Sequence, residues 1–323
     1  MRPELQAIAL RQGGVFTRAQ ALTVYSRPQV ERLVRERTWH VLRHGIYAAA
    51  PADVVTTAAA RWLALGGRDV ISHETAAQWH GLNLLRAYGG VPMMTRLRPA
   101  GAAPVRVQGL YAARVPPGQR LIVRGVPVTT LARTVADLAR QPDRDAGLVV
   151  VESALGGGMR RQELLDVLMT CAGWPGAQRA RDLAVFGTRW SETALESLAR
   201  CWFEEQGIPQ PEQQRVIRRA DGGFVGRVDF LWRRYRTVCE VDGRTKYESD
   251  AAALWKEKRR EDTMRDLGLE VVRGYWSDGG DRGAELAERL RRAFGRGLGA
   301  TESAAYLIES PRFTPRHAQP RAS

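Results

Sequence analysis

Apolar and polar positions alternate with two different periods along this chain, and the changes of period mark out its elements. Val30, Leu33 and Val34 recur at helical spacing behind Ser26-Arg27-Pro28-Gln29, a capping box with proline in the first turn. The pattern predicts a helix to about residue 37 that buries one stripe and leaves Arg27, Glu31, Arg32 and Arg35 on the other side. A short helix from a Thr17 N-cap precedes it, and residues 39–48 read as two short strands around Arg43-His44-Gly45. From 51 to about 185, helices at 58–65, 72–79, 129–139 and 148–155 alternate with short strands near 105–107 and 121–123. A helix capped by Ser191 follows, with Leu195, Leu198, Ala199, Trp202 and Phe203 as its apolar stripe. Strands are expected at 228–232 and 235–241, a charged helix at 251–267, a strand at 269–276 and a last helix at 283–294. The Pro/Arg/Ser-bearing segment after 296 is expected to be disordered.

These elements divide the chain into four parts. Residues 1–50 have the build of a small winged helix-turn-helix, 51–185 form an α/β middle region, 190–295 a third domain with a mixed central sheet, and 296–323 a tail. The fold class is α/β, α+β overall. Composition sharpens the functional side: 49 Lys plus Arg against 35 Asp plus Glu leave a formal charge of +14, which favours a polyanionic partner, nucleic acid first. Cys171, Cys201 and Cys239 are odd in number, far apart and without C-x-x-C spacing, so neither a disulfide framework nor a zinc knuckle is indicated and a cytoplasmic protein is expected. No signal-peptide core follows Arg2 and Glu4, and no apolar run approaches ~18 residues, so no membrane partner is expected.

The chemistry concentrates between Val228 and Tyr247. Side chains two apart on a strand share a face, so Glu240 and Asp242 point the same way, roughly 7 Å apart. Acids on strands that otherwise want apolar neighbours cost free energy unless water, a cation or a hydrogen bond compensates them, and a hard divalent ion is the simplest compensation. His73-Glu74 does not open a zinc-protease motif, because the next histidine, His80, falls at i+7.

Helix, strand, strand, helix, strand with acids on adjacent strands resembles the PD-(D/E)XK nucleases, in particular their very-short-patch-repair-like branch. Leu195-Glu196-Ser197-Leu198, Val228-Asp229-Phe230, Glu240-Val241-Asp242-Gly243 and Lys246-Tyr247 carry the resemblance, over about a third of the chain. It implies a restriction-endonuclease-like fold in which Asp229 and Glu240 hold Mg²⁺ or Mn²⁺, with Glu196 as an accessory ligand. Such an ion polarises the scissile phosphate and activates a water. The lysine that normally follows the acid by two positions is here Asp242, leaving Lys246 to act from the adjoining turn and Arg259 or Arg260 to contact phosphate.

Phe16-Thr17-Arg18-Ala19-Gln20, Leu42-Arg43-His44-Gly45-Ile46-Tyr47-Ala48, Ser72-His73-Glu74-Thr75-Ala76-Ala77 and Thr134-Val135-Ala136-Asp137-Leu138-Ala139 resemble AbiEi-type antitoxins over roughly the first 140 residues. That resemblance implies promoter binding by the winged helix, with Arg27, Gln29, Arg32 and Arg35 in the major groove and Arg43 on the wing. It also implies repression or neutralisation of a partner nucleotidyltransferase toxin. The leading expectation is a protein of double-stranded DNA with a metal-dependent endonuclease domain. The alternative is a non-enzymatic antitoxin or repressor whose nuclease fold serves for binding or homodimerisation, and Asp242 at the lysine position is its sequence support.

Overall fold

The computed structural model describes residues 1–97, 107–242, 251–299 and 306–316. They fall into two compact units, the first made of Met1–Ala154 and Met159–Phe186, the second of Leu155–Gly158 and Gly187–Arg316. The architecture is mixed α/β, with three sheets among the described residues.

The first unit opens with α1 (Pro3–Leu10), β1 (Val15–Thr17), α2 (Arg18–Leu22), α3 (Arg27–Arg35), β2 (His40–Arg43) and β3 (Ile46–Ala48). The strands pair antiparallel in the order β1-β3-β2. Thr17 begins α2 through a reciprocal capping box with Gln20, and at the start of α3 Gln29 Oε1 accepts from Ser26 N. Val30, Leu33 and Val34 turn inward onto Leu5, Phe16, Trp39 and Tyr47, so the stripe read from the sequence is the buried face of α3. The helix stops at Arg35, earlier than the pattern predicts.

After these come α4 (Val54–Ala64), β4 (Val70–Ile71), α5 (His73–Trp79), β5 (Met94–Leu97), β6 (Leu110–Ala113), β7 (Arg120–Val123), β8 (Val126–Thr129), α6 (Leu131–Ala139), α7 (Arg144–Gly156), α8 (Arg161–Thr170) and α9 (Ala177–Phe186). The second sheet has the order β6-β5-β4-β8-β7, parallel at β4–β8 and β5–β6 and antiparallel elsewhere. The strand expected at 105–107 falls mostly outside the described residues. The boundary expected at residue 50 does not separate two bodies. Val15, Ile46 and Ala48 of the small sheet share one apolar core with Ala58, Ala59, Ile71, Val126 and Val128, and burying those faces against each other removes the reason for a linker.

The second unit contains α10 (Ala194–Glu205), β9 (Glu212–Arg219), β10 (Phe224–Trp232), β11 (Thr237–Asp242), α11 (Ala251–Asp266), β12 (Glu270–Tyr275), α12 (Ala284–Gly299) and β13 (Tyr306–Glu309). Its sheet has the order β12-β11-β10-β9-β13, with β11 and β12 parallel and the other pairs antiparallel. Val228, Leu231 and Val238 pack against Met264 of α11 and Leu267 just beyond it, whereas Phe230 and Trp232 meet Phe203 of α10 edge to face. The cap of α10 is Thr193, whose hydroxyl accepts from Glu196 N; Ser191 accepts from Gln213 instead. The tail expected to be disordered from 296 is ordered in part. Helix α12 runs to Gly299, and β13 satisfies its backbone on β9, with Glu309 reaching Arg218 at 3.0 Å. Local composition gave no sign of it because the pairing is long-range. Cys171, Cys201 and Cys239 are buried and form no disulfide among the described residues. No helix of the described residues is long and apolar enough to cross a membrane.

Candidate functional site

The second unit places its chemistry where the sheet ladder loosens. Strands β9 and β10 pair through Arg215↔Val228 and Gln213↔Phe230, and between those pairs lie Gln214 and Asp229. Gln214 has a positive φ of 54°, rare for a residue with a side chain. This twist breaks the two-residue alternation of β9. Consecutive residues Gln213 and Gln214 both reach the start of α10, Gln213 donating to Ser191 Oγ at 2.9 Å and Gln214 Nε2 to Glu196 Oε2 at 2.9 Å. Gln214 Nε2 also donates to Asp229 Oδ1 at 3.3 Å.

Two acids from different elements therefore converge on one amide. Each has its other oxygen anchored by a neutral donor: Glu196 Oε1 accepts from Thr193 Oγ1 at 2.9 Å, and Asp229 Oδ2 from Val241 N at 3.0 Å. Glu192 N adds a bond to Glu196 Oε2 at 3.0 Å. Glu196 is 3% exposed, and burial, with Asp229 adding to it, pushes its carboxyl up to about 7 against the pull of these donors. Burial raises the Asp229 carboxyl too, with Asp242 adding, while Val241 N–H, Gln214 and Arg227 oppose.

The other expected ligand and catalytic residues take a different course. Glu240 accepts from Arg260 at 2.6 Å and lies 3.6 Å from Arg273, which stands opposite it on β12. Asp242 shares the face of Glu240, as its spacing predicts, and there it accepts from Arg273 at 2.7 Å; Arg273 also reaches Glu261 at 3.1 Å. Charge neutralisation by arginine thus supplies the compensation that the sequence assigned to a metal. Among the described residues no group of three or more His, Cys, Asp or Glu side chains is placed to hold a metal ion, so Glu196, Asp229 and Glu240 do not form the single three-acid set expected of them. Arg260 is turned to Glu240, Arg259 is exposed, and Lys246 lies outside the described residues.

In the first unit Arg27, Arg32 and Arg35 are exposed on α3, and Arg43 is exposed beside the β2–β3 turn. Arg27 pairs with Glu31 at 3.0 Å, and Gln29 Oε1 is taken up by Ser26 N at 2.9 Å, which leaves Arg32 and Arg35 as the outward cations of this helix. His73 and His80 do not share a site. His73 Nδ1 contacts Ser72 Oγ at 2.9 Å with its ring stacked on Tyr111, and His80 Nε2 contacts Thr129 O at 2.8 Å.

Gln214 and Arg273 are the residues that sequence reasoning missed. A run of four polar residues, Glu212-Gln213-Gln214-Arg215, inside a strand was the available signal for the first. For Arg273 the signal was an arginine in a strand otherwise read as apolar.

Residues 69–185, which lie in the first unit except for Leu155–Gly158, match the model of the AbiEi antitoxin C-terminal domain, a span that starts and ends later than the resemblance read from the sequence. Uncharacterized protein MT2308 of Mycobacterium tuberculosis strain CDC 1551 is 30% identical over 265 residues, covering 80% of this chain and 92% of the relative. Uncharacterized protein Rv2248 of strain H37Rv matches to the same extent. The chain belongs to the family of these two mycobacterial proteins and carries an AbiEi antitoxin C-terminal domain at residues 69–185.

Proposed function

We propose that this protein is a nucleic-acid-binding regulator of the antitoxin type, acting in the cytoplasm within a toxin–antitoxin or phage-defence setting. The observation that carries the reading is the AbiEi antitoxin domain at 69–185, which shares one core with the segment that presents Arg32, Arg35 and Arg43 to solvent. The AbiEi resemblance assigns that segment, read as a winged helix, to double-stranded DNA, with a toxin as protein partner. The net charge of +14 supports a polyanionic target. The test is a mobility-shift titration with the DNA upstream of its own gene, in EDTA and at several salt concentrations. Sequence-selective, metal-independent binding is expected, weakening steeply with salt. Equal affinity for unrelated duplexes would overturn the repressor role.

A second reading rests on the Glu196–Asp229 pair. A buried and a half-buried acid at a loosened strand junction, the buried one with a carboxyl near neutrality, are an arrangement common at reactive sites. On this reading the second unit keeps a PD-(D/E)XK-like fold, and Glu196 and Asp229 hold Mg²⁺ or Mn²⁺, which would polarise a phosphodiester. Arginines around Glu240 and Asp242 weaken it, because they occupy the acids that the nuclease motif needs. Incubation with duplex and single-stranded DNA and RNA, with Mg²⁺, Mn²⁺ or EDTA, separates the two readings. Metal-dependent cleavage lost in Asp229→Ala would establish the enzyme; no cleavage of any substrate leaves the regulator.

A further inference from the structure

The Glu196–Gln214–Asp229 junction contains a feature that neither reading uses. Gln214 is 2% exposed, and its Oε1 is buried without a hydrogen-bond partner among the described residues. An orphaned carbonyl oxygen in such a place is costly, and so is the left-handed backbone that holds it there. Both costs fall on the one residue that lies between the buried Glu196 and the half-buried Asp229.

We infer that Gln214 is a ligand of a divalent-cation site formed with Glu196 and Asp229, and that its amide turns over when the ion enters. Without an ion, the NH₂ group must face the carboxylates, because the carbonyl would repel them. Half a turn of the terminal amide exchanges Nε2 and Oε1 within nearly the same volume and brings the unpartnered oxygen toward Glu196 Oε2 and Asp229 Oδ1. The spacing suits a small hard cation. Ligand distances of ~2.1 Å at right angles put neighbouring oxygens ~3.0 Å apart, and the amide atom now lies 2.9 and 3.3 Å from the two acid oxygens. Thr193 Oγ1 and Val241 N hold the remaining oxygen of each carboxylate, so both acids are already oriented. Waters or phosphate oxygens would complete the shell, as is usual for Mg²⁺. Glu240, tied to Arg260, is not a member of this set. The inference deepens the nuclease reading of the same acid pair but replaces Glu240 by Gln214, and it concerns uptake of the ion, whether or not cleavage follows.

The experiment is Mn²⁺ binding to the full chain at pH 8, followed by calorimetry and by the loss of the free-ion electron paramagnetic resonance signal, with circular dichroism as the control for folding. One ion per chain is expected. Gln214→Met, which removes both amide atoms at similar volume, should weaken binding at least tenfold, and Glu240→Gln should change it less than twofold. Gln214→Glu decides the matter if the methionine variant is unstable. A ligand role predicts equal or tighter Mn²⁺ binding with a larger gain in melting temperature on adding the ion, whereas a role limited to donating hydrogen bonds predicts loss. No uptake by the wild type, or a tenfold loss in Glu240→Gln with none in Gln214→Met, would overturn the inference. Uptake without cleavage would leave it standing and remove the nuclease reading alone.

Discussion

Glu196 and Asp229 share a single hydrogen-bond donor, Gln214 Nε2, at 2.9 and 3.3 Å, although one acid stands on a helix and the other on a strand. Sharing keeps the buried Glu196 and the half-buried Asp229 close while giving them less than full compensation. Burial, more than the neighbouring acid, raises Glu196 to about 7 from an ordinary 4.5. For an acid raised on folding, the stabilising contribution is complete below the unfolded value and disappears as pH rises through the folded one. Stability should therefore fall between about pH 4.5 and 7, by up to about 3 kcal/mol. Urea denaturation of the wild type and Glu196→Gln checks this: the two curves should lie close together at pH 5, with the variant more stable at pH 8. A gap that does not change with pH would contradict it.

A second prediction concerns the AbiEi domain. Arg133 Nε meets Asp137 Oδ2 at 2.8 Å with both side chains buried, and Arg133 Nη1 also reaches Gln119 Oε1 at 2.8 Å and Arg114 O at 3.1 Å. Arg140 holds the second oxygen of Asp137 at 3.2 Å. Removing one charge leaves the other buried without its partner, so Asp137→Ala should cost about 3–5 kcal/mol. Pairing it with Arg133→Met should cost less than the two single changes summed, as a double-mutant cycle in denaturant will measure.

Arg32 and Arg35 carry the third. Each arginine that neutralises a phosphate contributes roughly one unit to the slope of log affinity against log salt. The double change Arg32→Ala, Arg35→Ala should lower that slope by about 2 and weaken binding across sequences. Arg27→Ala, whose guanidinium is paired with Glu31 at 3.0 Å, should change it less. An unaltered slope in the double variant would remove α3 from the interface.

Gly125 supports a fourth. Its φ is +80°, and a Cβ there would lie 2.2 Å from the backbone oxygen of Arg11, just beyond α1. Backbone rather than a mobile side chain blocks the space, so Gly125→Ala should destabilise the first unit by more than ~1 kcal/mol. A lower melting temperature is the readout.

Much of the scaffold was legible in the chain itself. The stripe of Val30, Leu33 and Val34, the apolar face of α10 and the acids of β10 and β11 follow local periodicity, and local periodicity survives folding when one face is buried. Strand β9 was not legible, because Gln214 in a left-handed conformation sends two successive polar side chains toward α10 and erases the alternation. Nor was the fate of Glu240. Its partners Arg260 and Arg273 lie 20 and 33 residues further on, brought back by α11 and the parallel pairing of β12, and no spacing rule carries that distance.

The pairing of β13 with β9 has a practical consequence for anyone shortening this protein. Cutting after residue 299 would turn an inner strand into an open border whose backbone groups, from Val216 to Arg219, invite a second molecule to dock in the same manner. Light scattering of such a truncated chain should reveal concentration-dependent clumping that the intact chain lacks. A trim made to aid crystallisation would then work against it.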